Sequence, residues 1–187
     1  MKAHLDQLMA ERNLDGFLVL GSGHGSTMRY LTGGGFFEGA LVLKAQGGPL
    51  TLVHGMMERD NAAQTGLALV DRDKHFNRYE LLREFNGDQL AAAAAYAVRA
   101  MEHVGLSGRV GLYGMEDAGA VLALAQAIQN QAEAIELVGE FGDGSLFNAA
   151  RETKDDRELA ELQRAGRLTC AVVGEVQEFI QGHRIGA

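Results

Sequence analysis

The chain has 187 residues, a mass of 20.0 kDa, and 17 Lys+Arg against 25 Asp+Glu, for a net charge of −8. With 47% hydrophobic residues its composition is globular; this excludes whole-chain disorder, and the length holds one good-sized domain or a domain and part of another. The acidic balance, with charges interspersed as in Asp71-Arg72-Asp73-Lys74, argues against nucleic acid, and no apolar run reaches the eighteen residues of a membrane span.

In chain order, Ala3 to Arg12 places Leu5, Leu8, Met9 and Arg12 on one helical face, without the continuous apolar core of a signal peptide. Phe17-Leu18-Val19-Leu20 is a short apolar run bounded by turn residues and reads as a buried strand. Gly21-Ser22-Gly23-His24-Gly25-Ser26 follows as a glycine loop leading into a short helix. Such a loop can present backbone N–H groups to a phosphate, but it matches neither the dinucleotide nor the Walker pattern. Ala40–Leu43 and Leu50–Val53 are strands joined by Gln46-Gly47-Gly48-Pro49, which suggests an antiparallel hairpin in a mixed sheet. Met56–Thr65 reads as a helix, with Glu58-Arg59 facing solvent and His54 ending the strand before it. His54 and Glu58 alone make an incomplete metal site.

Further strands are expected at Leu67–Val70, Val110–Tyr113 and Ile135–Val138. The helix Asp88–Val104 has Asp88 as N-cap, a run of five alanines from Ala91, and Gly105 placed to end it in the left-handed conformation. Glu116–Asn130 is a second helix, with Val121, Leu122, Leu124, Ala125 and Ile128 as its apolar side. Alternating strands and helices imply a three-layer α/β domain, a mixed sheet flanked by helices, over residues 1–150.

The last segment differs. Thr153-Lys154-Asp155-Asp156 has the spacing of a capping box, and Leu159, Leu162, Ala165, Leu168, Val172, Val176 and Phe179 then hold helical period for roughly 40 Å. Gly182, His183 and Arg184 form a stop. A stripe of this length needs a partner surface, so residues 151–187 read as a linker helix leading into an absent domain. Cys170, the single cysteine, cannot form an internal disulfide or a thiolate metal site and reads as a small packed thiol. No Gly-x-Ser-x-Gly elbow occurs, His24 is a loop residue, and Gly142-Asp143-Gly144-Ser145 is too short of carboxylates for a calcium loop. Residue chemistry alone assigns no catalytic residue and no metal ligand. A cytoplasmic location is expected.

Three stretches together carry a resemblance. Leu14-Asp15-Gly16-Phe17-Leu18-Val19-Leu20 and Met28-Arg29-Tyr30-Leu31-Thr32-Gly33 resemble the opening of the creatinase/Xaa-Pro peptidase (prolidase-like) family. The segment from Arg151 to Leu162 resembles that family's inter-domain signature, with Arg151, Lys154 and Glu158 on the matching positions and Thr27 standing where the family has Asn. The resemblance implies a creatinase-like N-terminal domain of a metal-dependent Xaa-Pro aminopeptidase or dipeptidase. Catalysis would belong to a following pita-bread domain holding two divalent metal ions, and no cofactor would belong to this chain. It further implies homodimer contacts, a contact with the chain's own catalytic domain, and gating of a peptide substrate. Tyr30, Phe36 and Phe37 are the gating candidates, the two Phe riding on the Gly33-Gly34-Gly35 hinge. Two other readings stand beside this one: a stand-alone binding or scaffold module of the same fold, and a nucleotide-binding domain using Gly21–Ser26.

Overall fold

A computed structural model describes residues 4–115 and 117–183. Helix α1 (Leu5–Ala10) leads into strand β1 (Gly16–Gly21), α2 (Ser26–Thr32) and the hairpin β2 (Ala40–Ala45) and β3 (Thr51–His54). A 3₁₀ turn (Met56–Glu58) and α3 (Arg59–Ala63) precede β4 (Ala68–Asp71). The short helices α4 (Arg72–His75) and α5 (Arg78–Glu84) follow, then α6 (Gln89–His103), β5 (Gly108–Tyr113), α7 (Ala118–Gln131) and β6 (Ile135–Val138). Helix α8 (Leu146–Glu152) and the 27-residue α9 (Asp156–Gly182) complete the described chain.

The six strands form one mixed sheet in the order β4-β3-β2-β1-β5-β6. β2 pairs antiparallel with β1 and β3, while β1/β5, β5/β6 and β3/β4 are parallel. Because strand side chains alternate between faces, β1 feeds two cores. Leu18 and Leu20 pack with Ala94, Ala97, Val98 and Met101 of α6 and with Ile128 of α7. Phe17 and Val19 pack with Leu5 and Met9 of α1, Met28 and Leu31 of α2, and Leu146, Phe147 and Ala150 of α8. The expected three layers and the antiparallel hairpin are present.

Asp88 caps α6 by accepting from the Ala91 N–H, and Gly105 beyond it has φ 69°. The alanines serve two sides at once: Ala94 and Ala97 face the sheet, and Ala92 and Ala95 face Leu81 of α5. α7 starts from an Asp117 cap; Glu116, read as the start of that helix, lies outside the described residues. On α7 only Ile128 is fully buried, and Leu122 is exposed.

The buried Lys44 of β2 donates to Gly48 O (2.6 Å) and pairs with Asp6 of α1 at 2.9 Å, tying α1 to the hairpin turn. Burial works to raise the Asp6 pKa, but the Gly47 N–H and the Lys44 ammonium outweigh it and hold the carboxyl below its ordinary value.

Three expectations change. The capping box of α9 is Asp155/Glu158, two residues later than Thr153/Asp156: Asp155 accepts from Glu158 N at 2.9 Å, and Glu158 accepts from Asp155 N at 3.0 Å. Glu58 does not face solvent but is buried. Cys170 is exposed, because no residue of α9 is buried and none of the described residues covers its apolar face. Arg184 of the expected stop lies outside the described residues.

Candidate functional site

All strands except β2 end at one edge of the sheet, as their pairings dictate. Ligand sites of open α/β sheets lie beyond the carboxyl ends of the strands, so the loops at this edge are the first place to look. Two glycine loops meet there. Gly23 donates its N–H to Phe37 O (2.9 Å), and a Cβ at Gly23 would stand 2.4 Å from Gly35 O, so the contact demands glycine. Gly25 N donates to Ser22 O (3.1 Å). Two amides of the Gly21–Ser26 loop are therefore engaged within the protein and do not face a phosphate.

The hinge Gly33-Gly34-Gly35 has φ values of 79°, 102° and 115°, a run of left-handed backbone that only glycine tolerates. It carries Phe36 and Phe37 to opposite fates. Phe37 is 1% exposed and sits in the core below β1, so its ring is not presented to a substrate in this arrangement. Phe36 is 57% exposed and meets His24 edge-on, ring centroids 6.1 Å apart.

Beyond the two rings, the loop is clamped. The buried Glu58 accepts from the backbone N–H of both Glu38 and Gly55 (2.9 Å for the latter). Arg72 Nη1 donates to Glu38 O and Gly39 O at 3.3 and 3.4 Å, and Asn61 Nδ2 donates to Phe36 O at 3.4 Å. The residues that make this clamp had no signal in the sequence: Glu58 and Arg72 each sit in mixed-charge runs that resemble a solvated face.

A second cluster builds the exit toward α9. Glu140 accepts from the Tyr113 hydroxyl and, at 2.7 Å, from Leu146 N, and so satisfies the start of α8 where Ser145 gives no side-chain cap. Arg12 braces the same loop through Gly144 O (2.8 Å) and Glu140 (3.4 Å). α8 thereby seats Phe147 edge-on against Phe17 and Tyr113. At its end the Tyr30 hydroxyl donates to Ala150 O (3.3 Å), and the Arg151 guanidinium lies 5.4 Å from the Tyr30 ring centre.

Arg151 Nη2 also donates to Thr27 Oγ1 (3.1 Å), so Thr27 supplies an acceptor here. Lys154 Nζ donates to Arg151 O and Glu152 O, closing the turn, and Glu158 completes the cap of α9. Burial, reinforced by the charges of Glu158 and Asp155 and opposed by Arg151, pushes the Tyr30 hydroxyl up to about 12. The motif residues Tyr30, Arg151, Lys154 and Glu158 thus meet at one junction, whereas Phe36 stands apart on the loop.

The sequence pattern of the creatinase/prolidase N-terminal domain matches residues 2–153. The chain belongs to this family. Among solved structures, a dipeptidase from Pyrococcus horikoshii OT3 has the same fold, with a TM-score of 0.62 at 17% sequence identity. The match covers 94% of this chain but 43% of the dipeptidase chain, so the protein spans less than half the length of that relative. No curated protein matches.

Among the described residues no group of three or more His, Cys, Asp or Glu side chains is placed to hold a metal ion, and so no metal-dependent step is assigned to them. No described helix is long and apolar enough to cross a membrane. What the described residues present is an exposed aromatic ring beside a glycine hinge and a braced root for a long amphipathic helix.

Proposed function

We propose that the chain is the non-catalytic N-terminal domain of a metal-dependent Xaa-Pro peptidase or creatinase-like hydrolase. In this reading residues 1–150 are the domain, and 151–187 lead into a catalytic domain that carries two divalent metal ions. Phe36, on its hinge, narrows the active-site mouth of a partner subunit in a homodimer. Tyr30 holds the junction from which the helix departs. The apolar face of α9 docks on the catalytic domain and the dimer partner.

The observation that carries this reading is the coincidence of the family match with the junction. The residues expected to connect two domains are the ones that brace the start of a helix with an uncovered apolar face. The test is an activity assay of the 187-residue chain on an Xaa-Pro dipeptide with Mn²⁺, Co²⁺ or Zn²⁺ supplied. No cleavage is expected, because no described cluster of side chains can hold the metals that such hydrolysis uses. Metal-dependent cleavage would overturn the assignment.

A further inference from the structure

A cavity of about 200 Å³ opens between α4, α5 and α6, beside the clamp that holds Gly39. We propose that it binds a small monocarboxylate with an apolar body, of the size of isovalerate or benzoate. This does not depend on the domain assignment above.

The floor of the cavity is apolar, formed by Phe76, Leu81, Leu82 and Ala92. Its charged groups are of one sign, with Gln89 and Tyr96 as the neutral polar side chains of the lining. Arg72 and Arg78 line it, and no carboxylate side chain does, although the chain as a whole carries a charge of −8. Arg78 is exposed, and among the described residues its side chain has neither an ion pair nor a hydrogen bond, so its charge is free to meet a ligand. Arg72 faces Tyr96 and keeps bonding capacity to spare. Its Nη1 contacts with Glu38 O and Gly39 O are long, its Nε has no hydrogen-bond partner, and Asp73, its ion-pair partner, stands 3.7 Å away. An arginine fork matches a carboxylate in two parallel bonds, a geometry no protein group here fulfils. The Tyr96 hydroxyl, on the remaining wall, stands 3.4 Å from Gly39 O and also faces the Arg72 side chain.

Size and charge narrow the ligand. The volume equals that of about seven waters and lies below the range of roughly 300–1,000 Å³ of sites for drug-sized molecules. It therefore suits a single ring or a branched chain of four or five carbons. A free amino acid is disfavoured, since its ammonium would meet arginines and no lining carboxylate.

The test is a titration of sodium benzoate into the ¹⁵N-labelled 187-residue chain, following the amide signals of Gly39, Ala92, Ala93 and Tyr96. Benzamide and leucine serve as uncharged and zwitterionic comparators. Saturable shifts confined to these residues are expected with a Kd of about 1 mM or below. Arg78→Ala should weaken binding about tenfold, the share of one charge-assisted pair. Ala93→Leu, at an exposed cavity-lining position, should block binding while leaving the remaining spectrum in place. The proposal is overturned by any of three results: no saturable shift at about ten times that concentration, benzamide binding as tightly as benzoate, or undiminished benzoate affinity in Arg78→Ala.

Discussion

Helices α6 and α9 follow the same apolar period, yet α6 buries seven of its 15 residues and α9 none of its 27. The period tells only that one side of a helix prefers to leave water; it does not say what covers that side. For α6 the cover is the sheet and α5, close enough that alanines fill the space. For α9 there is no cover within the described residues, and Leu162, Val172, Val176 and Phe179 are all more than half exposed. One helix is covered by its own domain, and the other keeps its apolar face open among the described residues.

The largest test of this contrast is truncation on each helix. Met101→Ala, at a fully buried site of α6, should cost about 2–5 kcal/mol in urea denaturation. Leu162→Ala on α9 should change stability by about 0.5 kcal/mol or less in the same chain. Comparable losses at both sites would erase the distinction.

Next in size is the tie between α1 and the hairpin. Asp6→Asn removes the negative charge opposite the Lys44 ammonium and should destabilise by about 1–2 kcal/mol at neutral pH, a figure reduced because the Asp6 side chain is 39% exposed. Since folding lowers the Asp6 pKa, its contribution is complete above the ordinary value of 3.8 and disappears as pH falls below it. Urea midpoints between pH 5 and pH 2 should therefore fall less steeply in Asp6→Asn than in the parent chain.

The junction carries the smallest effect and joins the two regions. Arg151→Ala removes the contact with the Tyr30 ring and the bond to Thr27, at a cost of about 1 kcal/mol. It should also speed amide exchange in the first turn of α9 while leaving α6 unchanged. Tyr30 bears on the alkaline side. Its folded pKa of about 12 lies above the ordinary 10, so the unfolded chain loses the proton first and stability declines as pH rises from 10. Tyr96 and Tyr113 are raised in the same direction, chiefly by burial, so Tyr30→Phe should lessen this decline without abolishing it.

Much of the fold was legible in the sequence, since buried strands and long helices write their periods over many residues. The six strands, the hairpin and the cap at Asp88 follow from such local signals, whereas Asp117, read as part of its helix, is the residue that caps it. The short helices α4, α5 and α8 were not foreseen. With four to seven residues each they show no full period, and long-range contacts fix them, such as Glu140 reaching the start of α8.

The candidate site was legible in part. The motif residues Tyr30, Arg151, Lys154 and Glu158 do converge, but which of two adjacent phenylalanines is buried depends on Gly23 pairing with Phe37, a contact between two loops. Glu58 is buried for a similar reason: the backbone amides that satisfy it include that of Glu38, twenty residues away. The cap of α9 was placed at Thr153/Asp156 by spacing, and the structure moves it to Asp155, where Glu158 reaches back to the Asp155 amide.

The central claim is that the apolar face of α9 is a docking surface. Sedimentation velocity of the 187-residue chain over a wide concentration range tests it most directly, with Leu162→Glu/Val176→Glu as the comparison. The account predicts concentration-dependent self-association of the parent chain through this uncovered stripe, lost in the double variant while the denaturation midpoint stays put. A parent chain that remains a clean monomer at the highest concentration, sedimenting identically to the variant, would contradict it.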